Sequence, residues 1–350
     1  MEHNWPYVVA LLVAWLGTDL LIPHVVRFAH YMGKMDQPDP RKVHKTPIPR
    51  LGGIAIFLGF LLSLLMIEFL EPGFFAKSSK WYGIIAGSSM MFLLGVVDDL
   101  KPLPAKVKFI AQIIIASVAY SLGVKMLVLS NPFGDMWVLP TWLSAFMTVF
   151  WLVGITNTIN LIDGLDGLAA GVSMIAGITL SIIAIQTGQV FAAVIILTLV
   201  GGTIGFLRYN FNPAKIFMGD SGSLFLGFTL AAISVSSVLK FATTVTILIP
   251  LLILGVPIFD TAFAIVRRAI NKKPIFQPDK GHLHHRLLKL GLSQRRTVIT
   301  IYSFSAFLAG IALYVIGFKS AISVIIVSII TFVVAFVGGL KKTKNEASAN

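Results

Sequence analysis

The chain has 350 residues, 56% of them hydrophobic and 12% charged, with a formal net charge of +13 and no cysteine. A soluble core cannot absorb so much apolar sequence, and without cysteine there are no disulfides, thiolate metal sites or cysteine nucleophiles. The basic excess reads as loops facing an anionic membrane surface, with a phosphorylated substrate as a second use, and not as a nucleic-acid footprint.

Met1 to Asn4 place no Lys or Arg ahead of the first apolar run, so the chain reads as opening on a spanning helix that starts outside, without a cleaved signal peptide. Runs of spanning length fall at roughly 6–28, 51–70, 81–97, 107–123, 140–156, 169–186, 190–207, 222–238, 241–266, 298–317 and 320–340. The pattern predicts an all-α polytopic membrane protein of about eleven spans. One membrane domain covers residues 1–340, and a short, loose cytoplasmic tail covers 341–350. Pro250 and Pro257 predict a kink or break in the ninth run, and Thr187-Gly-Gln189 predicts a tight hairpin between the sixth and seventh.

An outside start puts 27–50, 98–108, 208–220, 267–296 and 341–344 in the cytoplasm. These segments hold 23 of the 28 basic residues, the others being Lys77, Lys80, Lys125, Lys240 and Lys319. That asymmetry fits an odd number of spans with an inside C-terminus. The acidic and amide motifs fall on the same inner side, where a water-soluble anionic substrate can meet a lipid.

The densest motif is Asn157-Thr-Ile-Asn-Leu-Ile-Asp-Gly-Leu-Asp-Gly-Leu-Ala-Ala-Gly171. Asn157, Asn160, Asp163 and Asp166 recur every third residue, and each such step falls short of a full helical turn by about 60°. They converge only if the helix ends there, which Gly164 and Gly167 allow. Asp98-Asp99 close the third run, either as a solvated helix end or as a partner for magnesium and phosphate. In Phe217-Met-Gly-Asp-Ser-Gly-Ser223, Asp220 or Ser221 either caps the next helix or, with the backbone N–H groups, serves a cation and a phosphate. Gly281-His-Leu-His-His-Arg286 lies in the longest basic loop, where the histidines read as a solvated face, as phosphate ligands beside Arg286 or, ranked last with Asp279 their only acidic neighbour, as zinc ligands. A phosphate-binding role asks for charge and N–H donors at His282, His284 and His285. Asp260 reads equally as a helix-end ion pair with Arg267 and Arg268 or as a ligand contact, and Asp19, inside the first span, has no partner visible in the sequence.

Taken together, Gly95-Val-Val-Asp-Asp99, the Asn157–Gly171 stretch, Asn212-Pro-Ala-Lys-Ile-Phe-Met-Gly-Asp-Ser-Gly-Ser223 and His282-Leu-His-His-Arg286 resemble, in order and spacing, the polyprenyl-phosphate N-acetylhexosamine-1-phosphate transferases. Arg41-Lys-Val-His44 with Pro49-Arg-Leu-Gly-Gly53, and Pro257-Ile-Phe-Asp-Thr261, are similar to the branch that uses UDP-N-acetylglucosamine, which includes enzymes that start wall teichoic acid. Several relatives extend the aspartate pair to a third carboxylate, where this chain has Pro102. The resemblance implies an enzyme of the bacterial cytoplasmic membrane that moves sugar-1-phosphate from a UDP-sugar to undecaprenyl phosphate, releases UMP and needs Mg²⁺ or Mn²⁺. It implies Asp98 and Asp99 at the lipid phosphate, Asp220 and Asp163 at the metal, and Asn157, Asn160 and Asp166 in the nucleotide region. His282, His284, His285 and Arg286 would hold the pyrophosphate. The implied partners are the UDP-sugar, the polyprenyl phosphate and the membrane, with no nucleic acid and with a homodimer left open. The two rival readings are a phospho-N-acetylmuramoyl-pentapeptide transferase and, in another class, a transporter for an anionic solute.

Overall fold

The computed structural model describes residues 4–38, 46–77, 80–129, 137–238, 248–272 and 281–348. The Arg41–His44 motif and Asp279 lie outside them. The described residues form α1 (Trp5–Tyr31), α2 (Gly52–Leu70), α3 (Lys80–Leu100), α4 (Ala105–Ser121), α5 (Thr141–Ile162), α6 (Leu168–Gln186) and α7 (Val190–Asn210). They continue with α8 (Gly219–Val238), α9 (Leu248–Ile253), α10 (Gly255–Ile270), α11 (Leu283–Lys289), α12 (Gln294–Val315) and α13 (Ala321–Ser348). Two short antiparallel ribbons complete them, β1 (Met35–Asp36) with β2 (Ile48–Pro49) and β3 (Val128–Leu129) with β4 (Trp137–Val138).

Long apolar runs become helices because a helix satisfies its own backbone where no water can. Eight of these helices are at least 18 residues long and apolar enough to cross a membrane. The other three expected runs are α4, with 17 residues, α8, and the ninth run, which is split between α9 and α10 at Leu254. The split lies where Pro257 deprives the carbonyl of Ile253 of an amide partner. The hairpin forms as expected, with Gly188 at positive φ between α6 and α7. The backbone of α13 is helical to Ser348, past Leu340 where the sequence reading ends the membrane domain.

Helix α8 is the hub. It packs against α2, α3, α5, α6 and α7, and Leu224, Phe225, Leu226, Phe228 and Leu230 along it have no exposed surface. Helix α1 packs on α2 and α7 at one side, and α12 with α13 forms the other. A helix sheathed on all sides has a fixed depth and rotation. Its N-terminal end, Gly219-Asp220-Ser221, is therefore a fixed point to which neighbouring helix ends deliver side chains.

Candidate active site

Phe217 donates its N–H to the carbonyl of Pro49 at 2.8 Å, and Gly52 and Gly53 donate to the carbonyls of Phe217 and Met218 at 2.9 and 2.8 Å. The start of α8 is thereby stitched to the start of α2. The helices approach this closely because Gly53 and Gly95 lack side chains: a methyl group at Gly53 would overlap the backbone of Gly222, and one at Gly95 the backbone of Asp220 and Ser221. This contact brings the end of α3 over the start of α8. Asp99 accepts the N–H groups of Asp220 and Ser221, both at 2.9 Å, and so satisfies two donors that a helix start leaves open. With Arg50 Nε 3.2 Å from its Oδ1 as well, Asp99 holds the site together.

Asp98 and Asp220 meet at Lys108, and Arg50 ties Asp220 to Asp99. Lys108 Nζ lies 3.4 Å from Asp98 Oδ2 and also binds Asp220 Oδ2, while Arg50 donates to Asp220 Oδ1 at 3.1 Å. Leu103 N–H fixes the other oxygen of Asp98 at 2.8 Å. Asp163 caps the end of α5 in the turn that the glycines were expected to provide, with Gly167 at φ +78° opening α6. Burial foremost, and then the Asp220 carboxylate, push the Asp163 carboxyl up to about 7.

The amides of the same stretch remain on α5. Asn157 Nδ2 donates to the carbonyl of Val153 at 2.8 Å and to Gln112 Oε1 at 2.6 Å, which leaves Oδ1 as the group it can offer a ligand. Asn160 donates to Ser223 Oγ of α8 at 2.8 Å. Asp166 turns the other way: its Oδ2 accepts from Asn212 Nδ2 at 2.9 Å and from Ala214 N–H at 3.0 Å, pinning the loop that leads to α8. Asp163 and Asn160 are thus brought to the α8 start, whereas Asp166 supports it from outside.

The histidine arm reaches this stretch through His284. The His284 ring is 3% exposed and lies against the turn: a Cβ on Gly164 would come within 2.8 Å of its Nε2. Burial foremost, and then His285, lower His284 to about 4. His282 bonds through Nδ1 to Asp260 Oδ2 at 2.9 Å, and Asp260 Oδ1 accepts Leu283 N–H at 2.7 Å. Asp260 is therefore a histidine partner, a role named in neither of its two open readings, the ion pair with Arg267 and Arg268 or the ligand contact. Arg267 and Arg286 both donate to the carbonyl of Gly281, at 2.8 and 3.0 Å.

Arg50, Lys108 and Asp260 were not among the expected site residues. Lys108 reads as an ordinary loop charge, and Arg50, although inside the Pro49–Gly53 motif, was given no role at the site. Asp19 also gains a partner, because Arg208 holds both of its carboxylate oxygens at 3.0 and 2.8 Å from the inner end of α7.

The glycosyl transferase family 4 model matches residues 81–238, which hold α3 to α8 and with them Asp98, Asp99, Lys108, Asp163 and Asp220. Over 84% of its length the chain is 46% identical to a probable undecaprenyl-phosphate N-acetylglucosaminyl 1-phosphate transferase of Bacillus subtilis, covering 81% of that protein. A decaprenyl-phosphate N-acetylglucosaminephosphotransferase of Mycobacterium leprae is 38% identical over 84% of this chain and 78% of its own. A phospho-N-acetylmuramoyl-pentapeptide-transferase of Listeria monocytogenes is 32% identical over 89% of this chain and 97% of its own. Carboxylates, amides and basic groups gathered at inner helix ends are what a sugar-phosphate transfer at a membrane face requires, and with these likenesses the chain is a member of the polyprenyl-phosphate N-acetylhexosamine-1-phosphate transferases, within glycosyl transferase family 4.

Proposed function

We propose that this multi-pass bacterial membrane protein transfers N-acetylglucosamine-1-phosphate from UDP-N-acetylglucosamine to undecaprenyl phosphate, with release of UMP. The observation that carries the reading is the meeting of Asp98, Asp220, Arg50 and Lys108 at the start of α8. Phosphate attack on a pyrophosphate concentrates negative charge, so positioned cations and donors matter more than a strong base. Lys108 and Arg50 neutralise the phosphates. Asp98 orients the acceptor phosphate or takes its proton, and Asp99 keeps the α8 N–H groups and Arg50 in place. Asn157 and Asn160 offer polar groups toward the nucleotide, and His282, His285 and Arg286 grip the diphosphate. Direct attack by the acceptor oxygen on the β-phosphorus needs no covalent enzyme intermediate.

A divalent cation, magnesium or manganese, fits the residues present. Asp220 and Asp163 supply hard oxygen donors, and burial foremost, with the Asp220 carboxylate after it, raises the Asp163 carboxyl, a crowding of negative charge that a cation relieves. Among the described residues no three acidic or histidine side chains form a closed cage, which suits an ion that takes one or two carboxylates and completes its shell with water and substrate phosphate. Such an ion polarises the pyrophosphate when bound.

The N-acetylglucosamine branch is favoured over the muramoyl-pentapeptide reading by the higher identity of its relatives, 46% and 38% against 32%. A transporter would place its ligand groups near the bilayer midplane, whereas these sit at helix ends. We assign the product to the first membrane step of a cell-surface polymer of the teichoic acid kind, on the motifs Pro49–Gly53 and Pro257–Thr261. Purified protein supplied with undecaprenyl phosphate, a divalent cation and a panel of UDP-sugars is expected to release UMP with UDP-N-acetylglucosamine only. UMP release from UDP-N-acetylmuramoyl-pentapeptide alone, or none from any donor, overturns the assignment.

A further inference from the structure

We propose that Asp260 is a positioning residue that makes His282, and not His284, the imidazole that binds the diphosphate of the nucleotide substrate. The inference rests on the transferase reading above and separates histidines that the sequence treats alike. Both oxygens of Asp260 are committed, one to His282 Nδ1 at 2.9 Å and one to the N–H of Leu283 at 2.7 Å. A carboxylate accepts, so Nδ1 carries the hydrogen and Nε2 is the ring nitrogen left for a ligand. No described residue bonds to that Nε2, and it is not among the sealed, unpartnered polar atoms, so it is open to a ligand.

The surroundings give this bond its consequence. Asp260 is 9% exposed, and a buried carboxylate is costly unless a positive group balances it. When a diphosphate oxygen meets His282 Nε2, a proton taken there from solvent lets the ring bridge two anions, the substrate in front and Asp260 behind. His284 is oriented differently. Its ring is parallel to that of His282 with centroids 5.9 Å apart, but it is wedged against Gly164 without a carboxylate partner among its described bonds. It fits the arm to the Asp163 turn, while His282 carries the bond to the ligand. Asp260 acts on substrate only through His282.

The test separates phosphate binding from general damage by comparing UDP with uridine, which lacks the phosphates. Asp260→Asn retains a carbonyl oxygen for Leu283 N–H and removes the charge behind His282. Calorimetric titration of the purified full chain is expected to show UDP binding weakened ~10-fold and uridine binding unchanged, the scale of one charge-assisted hydrogen bond. In turnover, the KM for UDP-N-acetylglucosamine is expected to rise by a similar factor with kcat within about threefold. Should Asp260→Asn not survive purification, His282→Gln, which leaves the Asp260–Leu283 bond in place, must show the same selective loss. Equal weakening of UDP and uridine, or no weakening of either, overturns the proposal. Because binding is read without turnover, a wild-type protein that binds UDP yet releases no UMP would defeat the transferase reading and leave this comparison standing.

Discussion

The two halves of the site are held in different ways. The carboxylate half is built into the bundle: Asp98 and Asp99 arrive on α3, Asp220 on α8, and the contacts at Gly53 and Gly95 leave no room for adjustment. The histidine half sits on α11, a seven-residue helix that packs on α12 through the buried Leu287 and is tied in further by Asp260 and by His284 against Gly164. The difference suits the division of labour. Charge must be fixed where bonds change, and a seven-residue helix with one buried leucine and a few polar bonds is the lighter anchorage of the two.

The comparison breaks most sharply at Asp220. Asp220→Asn keeps the shape of the α8 start but removes the charge that faces Lys108 and Arg50, so a folded protein with turnover reduced by ~10³-fold is expected. Turnover within tenfold of wild type at millimolar Mg²⁺ would return Asp220 to a helix-capping role.

Backbone fit is the next largest effect. Gly95→Ala drives a methyl group into the backbone of Asp220 and Ser221 and is expected to destabilise the protein by about 2–3 kcal/mol, the scale of overpacking in a core. Gly164→Ala meets only the edge of the His284 ring, which can swing aside, so it should cost less than half as much. Thermal unfolding in detergent of the two variants checks the order. Equal costs would mean that the histidine arm is as rigid as the bundle.

Acid sharpens the contrast further. His284 titrates near 4 when folded and at 6.5 when free, so below pH 6.5 the unfolded chain takes up a proton that the folded chain refuses. Its contribution is complete above pH 6.5 and is lost as the pH falls toward 4, by about 3 kcal/mol at most. The wild-type melting temperature should therefore fall more steeply between pH 6.5 and 4.5 than that of His284→Gln. Parallel curves would show that the buried ring is not responsible.

The smallest effect belongs to Asp19–Arg208, whose arginine side chain is 68% exposed. Such a pair contributes about 0–1 kcal/mol, so Arg208→Gln should leave turnover and melting nearly unchanged. Loss of activity there would make Asp19 a functional residue of the span.

The sequence made the carboxylate half more legible than the histidine half, for a physical reason. Helix ends in a membrane protein advertise themselves: apolar runs mark the helices, and Asp98, Asp163 and Asp220 stand where those runs stop. Asp163 caps α5 at the glycine turn, close enough to Asp220 for the two carboxylates to interact. Asp99 and Asp166 were legible as site residues but not as supports, since only the fold shows their oxygens taken by backbone N–H groups. Lys108 was hidden among loop charges that the membrane alone explains, and Arg50, inside the Pro49–Gly53 motif, marked a branch of the family and not a contact with Asp99 and Asp220. Asp260 was misleading because Arg267 and Arg268 lie seven and eight residues along its own helix, while its partner His282 follows on the far side of a loop.

The central claim is that the β-phosphorus of the nucleotide sugar moves with the sugar. UDP-N-acetylglucosamine labelled at that phosphorus, incubated with purified protein, undecaprenyl phosphate and Mg²⁺, tests it directly. Label is expected in the lipid fraction with unlabelled UMP released, in equal amounts and dependent on Asp220. Labelled UDP in solution and a lipid carrying sugar without the label would mean transfer of the sugar alone, and would contradict the account.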